Sequence, residues 1–156
     1  MIKKIKGFTL IELLLVIAIL GVLAMLITPN MITSLKKGRD ARRKADLEQV
    51  QKALELYYED NKAYPTSLDL SSGAQFCHPS PNGCATKIYM EKLPQDLKSV
   101  CHYDYVSAGT DYKLYAYLEN TQDQGSGVNQ AGYGGDCGVT TSCPCRFGVS
   151  SANTLP

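Results

Sequence analysis

Between Phe8 and Thr28 the chain runs FTLIELLLVIAILGVLAMLIT, 21 residues of which Glu12 alone is charged. At ~1.5 Å per residue, an α-helix of this length spans about 31 Å, the thickness of one bilayer hydrocarbon core. The run therefore predicts a membrane-spanning helix. It also makes Glu12 conspicuous, because a carboxylate costs roughly 2.5 kcal/mol or more at the bilayer centre and less toward the interface. Such a residue requires a partner or a function.

Lys3, Lys4 and Lys6 precede this run, and Gly7-Phe8-Thr9-Leu10-Ile11-Glu12 opens it. An ordinary secretory signal has an apolar stretch of only ~7–15 residues and a small-x-small cleavage site, which this segment lacks. A plain single-pass anchor has no need of the Gly7–Glu12 pattern. The segment resembles the processing signal of type IV prepilins and of the pseudopilins of type II secretion. The resemblance implies a leader, residues 1–7, cut by a membrane-embedded peptidase between Gly7 and Phe8. It further implies methylation of the new Phe8 amine by the same enzyme, and a role for Glu12 in filament assembly. The partners implied are other copies of the chain in a helical filament, the prepilin peptidase/methylase and an inner-membrane assembly platform.

The 156 residues leave room for one membrane helix and one small globular domain. Without the leader lysines the chain carries 13 basic against 15 acidic residues, and beyond Asp60 six against eight. No part of the head is conspicuously basic, so charge gives no support for nucleic-acid binding.

Cys77, Cys84, Cys101, Cys137, Cys143 and Cys145 all lie beyond the apolar run. An even number of cysteines in a small, loop-rich domain predicts disulfides formed outside the cytoplasm. This places the N-terminus inside, at the cytoplasmic membrane, with the head extracytoplasmic before and after assembly. The positive-inside rule does not settle orientation, because Lys36, Lys37, Arg39, Arg42, Arg43 and Lys44 follow the run as closely as three lysines precede it. Cys143 and Cys145 are poorly placed to bond each other across Pro144. They are expected to reach Cys101 and Cys137, in an order the sequence leaves open.

The fold class expected is α+β: a long N-terminal α-helix, transmembrane in its first half, packed by a small antiparallel sheet head stapled by disulfides. The divisions are 1–7 leader, 8–29 membrane and filament-core helix, 30–60 amphipathic continuation and 61–156 head. Gly21 and Pro29 weaken a helix, one by backbone entropy and one by removing a hydrogen bond, so a bend or local melting is expected between them. From Lys36 to Lys52 the charges alternate in sign every fourth residue, as on a helix flank. The apolar stripe becomes strong only at Leu47, Val50, Leu54 and Tyr57, which predicts a head packed on the last turns and leaves residues 36–46 uncovered.

Asn61 and Pro65 end the helix. The span Ser67 to Thr86 reads as a connecting loop. His102 to Ser107 and Asp111 to Glu119 alternate with period two and read as a β-hairpin, with Tyr112, Leu114, Ala116 and Leu118 facing the helix. The tyrosines on the other face suit a half-exposed sheet. After Asn120 there is little periodicity.

Tyr64-Pro65-Thr66 and Tyr89 through Asp96 resemble the helix exit and pre-sheet segment of the major pseudopilin of type II secretion. The chain departs from that pattern at Leu97 to Cys101 and has no tryptophan. The departure and the extra cysteines lean toward a surface pilin, so pilus and pseudopilus stay open. The resembled pseudopilin binds calcium in a loop after its sheet, where this chain has Glu119, Asp123 and Asp136, but their spacing follows no calcium-loop pattern. No other cofactor is expected. The competing class is a monomeric, single-pass, membrane-tethered binding module outside the cytoplasm, with zinc held by Cys77, His78, Cys84, Cys101, His102, Cys143 or Cys145. Against zinc, paired C-x₂₋₄-C knuckles are absent. No nucleophile stands at a recognisable spacing from a base, so no enzyme is expected.

Overall fold

A computed structural model of the chain describes residues 7–78, 87–135, 137–138, 143–152 and 156, the side chains of 26–30 excepted. One α-helix, α1 (Leu10–Asn61, 52 residues), carries both the apolar run and the charged flank. Gly21 and Pro29 do not end it. The chain divides into two compact units, Met1–Lys36 and Lys37–Pro156, so the helix from residue 37 onward belongs with the head.

In the first unit the large apolar side chains from Phe8 to Met25 are roughly half exposed or more, with Leu10 at 81% and Ile11 at 74%. Among the described residues no helix is long and apolar enough to cross a membrane. The stretch with described side chains, Leu10 to Met25, would extend about 24 Å at ~1.5 Å per residue, short of the ~30 Å bilayer core.

The second unit packs two antiparallel sheets with the C-terminal part of α1. The larger sheet has the order β3-β4-β5, with β3 at Asp104–Ser107, β4 at Tyr112–Tyr117 and β5 at Cys145–Ser150. β3 and β4 form the expected hairpin, pairing Tyr105 with Leu114 and Ser107 with Tyr112. Gly109 turns it with φ of 91°, a conformation open to a residue without Cβ. Tyr112, Leu114, Ala116 and Leu118 are buried in one cluster with Leu47, Val50, Ala53 and Leu54, as the period-two pattern requires. The helix ends where expected. Lys62 takes a left-handed φ of 57° and its N–H bonds the Tyr58 carbonyl, a left-handed C-cap.

Three strands are not among the expected elements, and one of them, Phe76–His78, falls inside the expected loop Ser67 to Thr86. β1 (Phe76–His78) and β2 (Lys87–Met90) form a two-stranded sheet, in which Phe76 and Tyr89 pack around Tyr57 at ring distances of 5.3 and 5.2 Å. β5 adds a third strand beside β4, opposing Leu114 with Val149 and Ala116 with Phe147. The outer edge of β5 is covered by residues 127–133, whose backbone bonds Arg146, Gly148 and Cys145. This protects an edge that would otherwise invite pairing.

The second face of β4 is also more buried than expected. Tyr115 is 7% exposed and packs with Cys137, Cys145 and Tyr133 in a smaller cluster on the far side of the sheet. The two disulfides Cys101–Cys143 and Cys137–Cys145 anchor the entry to β5. Cys143 and Cys145 thus reach Cys101 and Cys137, as expected, and the structure supplies the order. Cys77 is disulfide-bonded too. Cys84 lies outside the described residues.

The expectation that residues 36–46 lie uncovered holds at Lys36, Lys37, Gly38, Ala41, Arg42 and Ala45 and fails on the face that carries Arg39, Asp40, Arg43, Lys44 and Asp46. Arg43 and Asp40 are buried and Arg39 is half-buried, all against the head. The cover is polar, and an apolar stripe cannot announce it.

Candidate functional site

The residues singled out for processing and assembly sit at the start of α1. Gly7 and Phe8 are exposed, Phe8 at 71%, and nothing lies within 4 Å of where a Gly7 Cβ would be. The backbone there is open to an enzyme. Helix geometry begins at Leu10 because Thr9 caps it. The Thr9 N–H and hydroxyl both donate to Glu12 Oε2, at 2.9 and 2.8 Å, and the Glu12 N–H donates to Thr9 Oγ1 at 3.3 Å. This reciprocal pair is a capping box, which satisfies helix-end donors that have no partner one turn back. Thr9-Leu10-Ile11-Glu12 carries its signature in the sequence. The cap folds the carboxylate back toward Thr9. Gly21 is exposed with open space around it, and the Pro29 side chain lies outside the described residues.

A second constellation, which no motif or spacing announces, is an ion-pair cluster in the head. The buried Arg43 guanidinium spans Asp96 on one side, at 2.6 and 2.9 Å, and Asp40 and Glu119 on the other, at 2.9 and 3.1 Å. Arg39 grips Glu119 with two further bonds of 2.8 and 2.6 Å, and Lys98 approaches it at 3.5 Å. Asp40 turns its oxygens to the backbone N–H groups of Glu119 and Asn120, while Lys44 pairs with Asp123 at 2.7 Å. Tyr117 lies under the cluster, its ring 5.3 Å from Arg43 and 5.1 Å from Lys98.

Burial opposes the charge of Arg43, but the Asp96, Glu119 and Asp40 bonds outweigh it and raise its pKa. The Arg39 guanidinium, against the burial cost, brings the Glu119 carboxyl down to about 2. Lys44 and the Gly125 N–H lower that of Asp123. Two calcium candidates, Glu119 and Asp123, are therefore spent on protein cations, and the third, Asp136, lies outside the described residues. Among the described residues no group of three or more His, Cys, Asp or Glu side chains is placed to hold a metal ion. The sulfurs of Cys77, Cys101, Cys143 and Cys145 are in disulfides and offer zinc no thiolate.

The processing motif and the head match known families in adjoining spans. Residues 2–28 match the prokaryotic N-terminal methylation motif. Residues 30–131, more than half of the chain, match type II secretion system (T2SS), protein G. The chain belongs to the type II secretion protein G family. Its relatives include the type II secretion system core protein G of Vibrio cholerae, 30% identical over 139 residues, which cover 87% of this chain and 92% of that protein. That of Aeromonas hydrophila is 35% identical over 97 residues, 60% of this chain and 68% of the relative. That of Pectobacterium carotovorum is 34% identical over 112 residues, 70% of this chain and 65% of the relative. No solved structure matches the chain.

Proposed function

We propose that the chain is a structural subunit of a type II secretion pseudopilus and not an enzyme. The observation that carries this reading is the adjacency, on one chain, of a methylation motif at 2–28 and a protein G domain at 30–131. A prepilin peptidase cuts between Gly7 and Phe8 and methylates the Phe8 amine. Phe8 to Thr28, long enough on the sequence to span a bilayer, holds the subunit in the cytoplasmic membrane. The N-terminus lies inside and the head outside, which agrees with disulfides in the head and none possible in the cysteine-free run.

An assembly platform then extracts subunits into a periplasmic filament. The exposed apolar side chains of Phe8 to Met25 become its core by packing against those of other copies. Glu12 sets their register through the Phe8 amine of a neighbour, since a carboxylate in an apolar bundle is tolerated beside an opposite charge.

The test is to express the chain with its peptidase and platform and examine sheared filaments by electron microscopy and mass spectrometry. The expected result is a filament whose subunit starts at a methylated Phe8. A mature chain starting elsewhere, or retained as a monomer in the membrane, would overturn the reading. In the native host, loss of the chain is expected to block release of exported proteins into the medium.

A further inference from the structure

The family resemblance implies calcium in the loop after the sheet, and the described carboxylates of that region, Glu119 and Asp123, argue otherwise. Four cations, Arg39, Arg43, Lys44 and Lys98, meet four carboxylates, Asp40, Asp96, Glu119 and Asp123, so the cluster is neutral before any metal arrives. Each carboxylate oxygen already has a donor. In Asp40, Oδ1 takes Arg43 and Oδ2 takes the Asn120 N–H. Asp96 Oδ1 takes Arg43 and the Lys98 N–H, and its Oδ2 takes Arg43 again. In Glu119 both oxygens take Arg39, and Asp123 divides its own between the Gly125 N–H and Lys44. A calcium ion needs six to eight oxygen ligands and adds two positive charges. Seating one on Glu119 or Asp123 would displace an ammonium or guanidinium that is itself held close by, raising the charge where it is least tolerated.

We infer that this chain locks the loop after β4 to α1 with its own cations, in place of a divalent metal ion. Arg43 is the centre of that lock. It joins Asp96, ahead of the sheet, to Glu119, after β4, and Asp40 receives the loop backbone from the same helix face. A buried arginine with three carboxylate partners does what a bound cation does, and it cannot dissociate.

The test uses the full mature chain in detergent micelles. Thermal unfolding is followed by circular dichroism in excess EGTA and across a calcium titration to millimolar concentration, with bound calcium measured by elemental analysis. The expected result is one midpoint throughout and no stoichiometric calcium. Glu119→Gln should lower the midpoint by about 5 °C or more, by the same amount with EGTA and with calcium. Arg43→Met removes the centre of the lock and can fail to fold. Arg39→Gln, at a half-exposed position, is the second probe, expected to speed hydrogen exchange at the Glu119 and Asn120 amides with no rescue by calcium. A saturable rise of the wild-type midpoint with calcium would overturn the inference. So would stoichiometric bound calcium, or a Glu119→Gln loss confined to calcium buffer.

Discussion

Glu12 carries two duties that separate at the level of one oxygen. As the last member of the capping box it holds the Thr9 N–H and hydroxyl, and in the proposed filament its charge would meet the Phe8 amine of a neighbour. Glutamine can fill the first duty but not the second, because capping boxes accept Glu or Gln while an ion pair needs the charge. Both Glu12→Ala and Glu12→Gln should insert and be cleaved normally yet lose most filament yield, read by shearing beside an immunoblot for processed subunit. Filaments retained by Glu12→Gln and lost only by Glu12→Ala would assign the effect to the cap. Glu119 gives a second residue-scale prediction. Its folded carboxyl is lowered from 4.5 to about 2, chiefly by Arg39. The stabilisation is therefore complete above about pH 4.5 and lost as pH falls through about 2, since below both values the group is protonated in either state. The gap between wild-type and Glu119→Gln midpoints should shrink across that window.

At the scale of elements, the sheet depends on how its last strand is brought back. β5 follows a stretch of weak periodicity, and two disulfides fix its start, one closing 42 residues and the other 8. In the chain-entropy account these loops correspond to roughly 4 and 2.5 kcal/mol. Replacing Cys101 and Cys143 together by serine should thus cost more stability than replacing Cys137 and Cys145, measured by urea unfolding of the detergent-solubilised chain. An equal or reversed order would assign the effect to packing in the Tyr115 cluster. Gly138 belongs to the same device. A Cβ there would lie 2.5 Å from the Val100 carbonyl oxygen and 2.8 Å from Cys143 Cβ, so Gly138→Ala forces backbone and disulfide apart. The cost expected is that of overpacking, ~1–3 kcal/mol.

For the whole molecule, one helix serves two units with opposite surfaces. Up to Lys36 its described large apolar side chains are exposed, and from Lys37 its apolar and charged faces are both used by the head. On the proposed function, insertion, processing and assembly would load on the first unit, and folding on the second. Gly7→Leu should leave an unprocessed membrane protein with a normally folded head: no cleaved species by mass spectrometry, an unchanged head melting midpoint and no filaments. A lowered head midpoint in that variant would show that the leader matters to folding as well.

Legible in the order of residues alone are the apolar run, the processing motif, the helix end at Asn61, the hairpin and the face of β4 that meets Leu47, Val50 and Leu54. These are local or periodic properties: helix length against a bilayer, the residue before a proline, and alternation on a pleated strand. Only the tertiary structure decided that Arg39, Asp40 and Arg43 are covered, that β1, β2 and β5 form, and which cysteine bonds which. Short strands such as Phe76–His78 are stabilised by partners distant in sequence and leave little pattern of their own. A buried charge is legible only once its counter-charges are in place. Of the three that Arg43 has, Asp40 is on the same helix, but Asp96 and Glu119 lie 53 and 76 residues away, and nothing in the spacing of charges along α1 could point to those two.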